Sequence, residues 1–226
     1  MQDCENLLLH LLNDLGLNKS GKRQLSYQGV LYDLSLPWER ISVAEAFDRY
    51  AQVNRDELLD EGALLRRAKE KGYQVNAQTT WEEAYNQILL NEIEPHLGVG
   101  KPTILYDYPA SQAALSKKKA NDPAFAERFE FFLGGIELGN AFSELEDAVE
   151  QEARMQADLA ERARLGKTAY AIDTDFITAL QNGLPRTGGI AVGVDRLVML
   201  FADAASIQET LFFPATESFY KFSREK

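Results

Sequence analysis

Acidic side chains crowd a stretch that otherwise reads as the core of a strand pair. Between Arg128 and Glu146 the sequence interleaves Phe129, Phe131, Phe132, Leu133, Leu138 and Phe142 with Glu130, Glu137, Asn140 and Glu144. Along an extended chain side chains alternate faces, so Asn140, Phe142 and Glu144 share one face; Glu137 has the opposite parity unless a bulge or twist re-aims it. A carboxylate inside a core is costly unless a metal ion or a cationic group compensates it, so this pattern points to a positively charged ligand. An antiparallel sheet with one solvated face produces the same pattern at no cost, and the residues alone leave both readings open.

A second chemical signal runs from Gly188 to Arg196. Gly188, Gly189 and Gly193 flank the apolar run Ile190-Ala191-Val192, and Asp195-Arg196 opens a segment with helical spacing through Leu197, Val198, Met199 and Leu200. A strand containing glycine lets backbone approach a ligand closely, and an arginine at a helix start presents several donors to a phosphate. Such a site suits a triphosphate. As a bare pattern it is weak, because glycines also pack strands on helices and a lone arginine is usually a surface or ion-pair residue.

These residues need elements to hold them. Leu7, Leu8, Leu11, Leu12 and Leu15 recur at helical spacing before Gly16, which predicts an opening amphipathic helix. Residues 17–41 hold β-prone pieces such as Val30-Leu31-Tyr32, expected as a hairpin or loop. Ser42 with Glu45, Asn54 with Glu57 and Thr80 with Glu83 each form a capping-box pattern, predicting helices to about Tyr50, to near Gly72, and through Trp81 and Leu89. This is a helical insertion over 42–97. Strands are expected at 103–106, 128–133 and 137–145, the last two joined through Gly134-Gly135. Charged, alanine-rich residues 146–165 predict a surface helix, and 173–182 a shorter one closed by Gly183 and Pro185.

Composition bounds the rest. The 226 residues are 45% hydrophobic, enough to bury a core, and the formal net charge of −11 opposes contact with a long nucleic-acid duplex. Ser116 and Lys117–Lys119 form a basic run readable as a solvated loop or as a contact for an acidic partner or RNA. The single cysteine, Cys4, has no partner for an internal disulfide, no apolar run is long enough to span a bilayer, and the start lacks a basic leader. A cytoplasmic protein without a membrane role is the expectation.

At Arg128–Leu133 and Asn140–Ala148 the sequence resembles the lysine-binding strands of class II lysyl-tRNA synthetases. Gly189–Leu200 is similar to their motif 3, and Leu211-Phe212-Phe213-Pro214 to the short tail after it. The resemblance implies an α+β fold, an antiparallel sheet flanked by helices, carried by a single partial catalytic domain over 1–226. Within that superfamily Tyr108–Leu115 and Gly135–Leu138 look like the elongation factor P lysine ligases, which attach β-lysine to a protein rather than charging tRNA. Ala191, where synthetases carry glycine, adds to this, because a methyl group there alters how the amino-acid end of a lysine sits.

The roles this implies follow charge. Glu144 would receive the lysine ammonium, Phe142 would pack along its methylenes, and Asn140 would bond near the carboxylate, with Ala191 in the pocket floor. Glu130 and Glu137 would hold Mg²⁺ between the ATP phosphates, Gly193 would lie against the nucleotide, and Arg196 would contact the γ-phosphate as the catalytic cation. Motifs 1 and 2 of the class are not found. The chain is therefore expected to be the C-terminal part of such a domain, weak or inactive alone, partnering lysine or β-lysine, elongation factor P rather than tRNA, and a second copy or a complementing synthetase-like chain. A non-catalytic lysine- or nucleotide-binding paralogue, a structural fragment, and part of a true lysyl-tRNA synthetase are the alternatives.

Overall fold

The computed structural model describes residues 1–18 and 21–215. It is mixed α+β, with a five-stranded sheet in the order β3-β4-β5-β6-β7 and a separate two-stranded hairpin. The chain divides into two compact units, the first formed by the described residues of 1–106, 129–140 and 191–226, the second by 107–128 and 141–190.

The first unit opens with helix α1 (Gln2–Asp14), whose Leu8 and Leu12 are completely buried and which ends at the left-handed Gly16. Cys4 on this helix is buried, and burial pushes its thiol pKa up. Strands β1 (Gln24–Tyr27) and β2 (Val30–Asp33) form the antiparallel hairpin, paired from Gln24 with Asp33 to Tyr27 with Val30. Strand β3 (Glu39–Ser42) leads into the insertion.

All three capping boxes form. Ser42, Asn54 and Thr80 each accept from the backbone of the helix they open, and Glu45, Glu57 and Glu83 reach back to the cap residue. The helices are α2 (Val43–Ala51), α3 (Arg55–Leu59), α4 (Glu61–Glu70) and α5 (Trp81–Ile88). The expected helix from Asn54 to Gly72 is thus two helices: Asp60 adopts an extended backbone and caps the second through Ala63 N–H. A short polar side chain that bonds to backbone favours a cap over a helix interior. Phe47, Tyr85 and Trp81 stack at 5.1 and 4.9 Å, and Trp81 Nε1 donates to Leu58 O at 2.8 Å, which packs the helices on one another.

Strand β4 (Thr103–Pro109) pairs with β3 in parallel, Glu39 opposite Thr103 and Ser42 opposite Tyr106. This departs from the antiparallel sheet expected. The reason is the insertion itself: a chain of helices between two strands is long enough to serve as the crossover that a parallel pair requires. Strands β5 (Phe125–Leu133) and β6 (Ile136–Ser143) are joined by Gly134 and Gly135 with φ of 63° and 74°, the two positive values demanded by a two-residue hairpin turn. Strand β7 (Gly188–Val192) lies beside β6 in the sheet, and helix α8 (Val194–Phe201) comes directly after it. Leu8, Leu12, Trp38, Ile104, Phe131, Leu133, Leu138, Leu197 and Leu200 form one buried cluster.

In the second unit, helix α6 (Ala148–Arg164) is capped by Asp147 and buries only Gln151, as a surface helix should. Helix α7 (Thr174–Gln181) is capped by Asp173. The basic run is neutralised at home. Lys117 lies 3.8 Å from Glu127 and 4.0 Å from Glu146, Lys118 lies 2.9 Å from Glu150, and Lys119 pairs with Asp107.

Leu200 has no exposed surface and fixes α8, and with it Arg196, to the core of the first unit. Leu200→Ala is expected to lower stability by about 2–5 kcal/mol through lost transfer free energy and a residual cavity. Equilibrium urea unfolding measures this, and a change under about 1 kcal/mol would show that the helix is not anchored there.

Candidate functional site

Six of the residues singled out by sequence, Glu130, Glu137, Asn140, Ala191, Gly193 and Arg196, lie in the first unit, and Phe142 and Glu144 lie in the second. Each group is built by the approach of β7 to β6. Gly193 N–H donates to Leu138 O at 2.9 Å, and Glu144 N–H donates to Thr187 O at 2.9 Å. Numbering rises along one strand as it falls along the other, so the two run antiparallel.

In the first unit the approach depends on Gly139. A Cβ there would stand 2.5 Å from Phe131 Cε1 and 2.9 Å from Ala191 O, where no side chain fits. Ala191 is exposed and Asn140 is half-buried. At the end of β7, Gly193 caps α8 without a side-chain acceptor, and the stem of Arg196 folds back over it, so that a Cβ on Gly193 would meet Arg196 Cδ at 3.2 Å. The guanidinium reaches β6: Nη1 donates to Glu137 O at 2.7 Å and lies 3.3 Å from Glu137 Oε2. The side chains of this ion pair are 44% and 37% exposed, so water and salt screen it and its net worth is small, of order 0.2–1 kcal/mol. A ligand with stronger charge displaces either partner readily.

Glu130 is 8% exposed on β5. Its charge and that of Glu137 act on a third carboxylate, Glu94, that the sequence pattern does not single out. Helix α5 runs into a π-helical turn, Leu89–Ile93, and then a 3-10 turn, Glu94–His96, closed around Pro95. A π-turn widens the helix by one residue and re-aims the residues after it. Burial first, then the charges of Glu130 and Glu137, push the Glu94 carboxyl above the usual carboxylate range. Nothing in the local sequence marks Glu94 as different from Glu92 beside it, whose carboxylate instead binds Lys71 at 2.7 Å and Tyr73 at 2.9 Å.

Positive charge added beside Glu94 offsets part of the cost that Glu130 and Glu137 place on it. Among the described residues no three His, Cys, Asp or Glu side chains are grouped to hold a metal ion by themselves. Mg²⁺ is nonetheless suited by such a donor set, because it takes one or two carboxylates and completes its shell with water and phosphate oxygens. Glu130 and Glu137 are the two carboxylates that would supply such a set.

In the second unit Glu144 falls one residue beyond β6 rather than on it, in an isolated antiparallel bridge with Ser116. Its carboxylate rests against Gly189: a Cβ on that glycine would fall within contact distance of Glu144 Oε1 and 3.3 Å from Cδ. Phe142 does not face open space alone. Arg128 sets its guanidinium 4.2 Å from the Tyr108 ring centroid and 5.8 Å from that of Phe142, and its Nη1 donates to Gln112 O at 2.6 Å. Arg128 was legible as the start of a strand but not as the cation over these rings.

The sequence profile described as tRNA synthetases class II (D, K and N) matches residues 1–217. The chain belongs to this class II tRNA synthetase family. It is 36% identical to the lysine–tRNA ligase of Chloroflexus aurantiacus over 92% of its own length and 42% of that protein. It is 39% identical to the one from Moorella thermoacetica over 86% of this chain and 39% of the relative, and 37% identical to that of Magnetococcus marinus over 95% and 42%. The chain spans about two fifths of the length of these curated relatives. Among the described residues no helix is long and apolar enough to cross a membrane.

The Glu94 carboxyl gives a pH test. Its folded-state pKa lies above the unfolded value, so its contribution to stability is complete below the unfolded pKa and is lost as pH rises through the folded one. Glu94→Gln is therefore expected to raise the thermal midpoint at pH 7 and to give no gain below about pH 4. Melting curves of both proteins across that range decide it; an equal shift at every pH would remove charge crowding as the cause.

Proposed function

We propose that this chain carries lysine- and nucleotide-binding side chains of an ATP-dependent ligase that activates lysine or β-lysine as an adenylate. The observation that carries the reading is the pairing of Glu144 with Gly189, a carboxylate seated on a bare backbone position in a protein related to lysine–tRNA ligases. An ammonium needs an anionic acceptor held so that it cannot swing away, and a glycine at 189 leaves room for the acceptor to be held there. Phe142 supplies an apolar face for the methylenes, and Asn140 a hydrogen-bonding amide for the amino-acid end.

On the nucleotide side, Arg196 leaves its weak pair with Glu137 to neutralise the polyphosphate, with Gly193 allowing backbone to approach. Glu130 and Glu137 hold Mg²⁺, which when bound offsets charge on the phosphates. In the reaction a lysine carboxylate oxygen bonds to the α-phosphorus, the bond from that phosphorus to the bridging oxygen breaks, and pyrophosphate leaves with the electron pair. No side chain acts as nucleophile; the protein's part is alignment and charge stabilisation.

Two acceptors of the activated amino acid have support. Relationship to lysine–tRNA ligases favours tRNA. Ala191 and the segment Tyr108–Leu115 favour a protein lysine, as in the elongation factor P ligases that they resemble.

Thermal shift assays test the binding reading. Lysine or β-lysine is expected to raise the melting midpoint by the linkage RT ln(1 + [L]/Kd), and the shift to vanish in Glu144→Gln and in Gly189→Ala, whose methyl group displaces the carboxylate. ATP with Mg²⁺ should stabilise the protein, and Arg196→Ala should weaken that response by roughly tenfold or more in apparent Kd. Pyrophosphate exchange dependent on lysine then reads the chemistry. Retention of full lysine response in both Glu144→Gln and Gly189→Ala would sink the assignment.

A further inference from the structure

The backbone that carries Glu144 is gripped from both edges within the second unit. On one edge Glu144 N–H donates to Thr187 O at 2.9 Å. On the other runs segment 113–117: Lys117 N–H donates to Ser143 O and Leu145 N–H to Leu115 O, both at 2.9 Å, with Ser116 opposite Glu144 in the isolated bridge. Successive amides of an extended chain point to opposite edges, so the two sets of bonds do not compete.

Segment 113–117 is itself bent through a costly conformation. Ala114 has a φ of 50°, in the left-handed region that a residue with a Cβ rarely adopts. Ser116 is fully buried and spends its hydroxyl on Ala113 O at 2.7 Å inside the same turn.

The brace for this turn comes from helix α6. Arg154 Nη1 donates to Ala114 O at 2.7 Å and to Ser116 O at 2.8 Å, so one nitrogen bridges the carbonyls on either side of Leu115. Glu150, one turn earlier on the helix, aims the fork: its Oε1 accepts from Nε at 3.2 Å and from Nη2 at 2.6 Å. Lys118 Nζ lies 2.9 Å from the same oxygen. A planar guanidinium can hold two carbonyls and a carboxylate together in a fixed geometry, which the point charge of an ammonium cannot match.

The seat of Glu144 leaves little play for that brace to lose. Its Oε1 lies so near Gly189 that a Cβ there would be in contact with it. A shift of the backbone at 144 therefore moves the carboxylate off its seat.

We propose that Arg154 is a positioning residue for the Glu144 carboxylate, acting through segment 114–116, and that it thereby sets how strongly the site prefers a side chain ending in an ammonium. Arg154 meets no ligand in this account. The inference rests on the lysine reading of Glu144 given above.

Isothermal titration calorimetry with matched ligands tests it: lysine against norleucine, and β-lysine against its analogue without the terminal ammonium. The unaltered chain is expected to bind the ammonium-bearing member of at least one pair roughly tenfold more tightly. Arg154→Met keeps the stem and removes the donors; it should cut that preference by roughly fivefold or more, with the affinity for norleucine and for ATP with Mg²⁺ within about twofold. Arg154→Lys, which can replace some of the bonds, should keep part of the preference. Should Arg154→Met not fold, Arg154→Lys and Glu150→Gln decide, each with a loss of preference of roughly twofold or more. The inference is overturned if the preference survives unchanged in the variants. It is overturned equally if lysine, norleucine and ATP all weaken together, since general loosening produces that pattern. No preference for the ammonium in the unaltered chain defeats the lysine reading and this inference with it, whereas a preference that Arg154→Met leaves intact defeats the inference alone.

Discussion

The structure depends on β6 meeting β7 at Gly139, where no side chain fits. Gly139 on β6 faces Ala191 O and the Phe131 ring, and Gly189 on β7 faces the Glu144 carboxylate. Because Gly139 has no Cβ, β7 approaches β6 closely there, and Gly193 N–H reaches Leu138 O at 2.9 Å. Everything chemical depends on that closeness. It brings the Arg196 helix directly off the end of β7, close enough for the guanidinium to reach Glu137. A single methyl group at either glycine attacks the geometry of charged groups without touching their identity.

Much of this architecture was legible in the sequence because it is local. The three capping boxes at Ser42, Asn54 and Thr80 each satisfy backbone donors within four residues, so the pattern and the structure coincide. The Gly134-Gly135 turn is equally local. Asp60 was not legible as a break, because its role depends on which backbone conformation wins, and that is set by packing of the two short helices. The parallel β3–β4 pair was missed for a related reason: strand periodicity reports which face is buried but not the direction of the neighbour.

The same division runs through the candidate site. Glu130, Glu137 and Arg196 announced themselves by residue type in an apolar setting. Glu94 did not, because its neighbours in space come from another part of the chain and its position comes after a π-turn that no periodicity predicts. Glu144 stands out in the sequence as a carboxylate in an apolar strand, yet its place just beyond the strand and its seat on Gly189 are tertiary facts. The basic run at Lys117–Lys119 illustrates the opposite hazard. Its sequence suggests an outward-facing patch, but each lysine meets a nearby acid, so charge clustering in one dimension does not establish a charged surface in three.

The one cysteine offers a different kind of consequence. Cys4 is enclosed on the first helix, and its enclosure disfavours the thiolate, the only form that reacts quickly with disulfide reagents or alkylating agents. Its modification therefore has to wait for the amino-terminal helix to lift away from the leucine cluster beneath it. With no second thiol in the sequence to blur the signal, the labelling rate in native buffer becomes a clock for that local opening, reporting how firmly one end of the molecule is held while the rest stays folded.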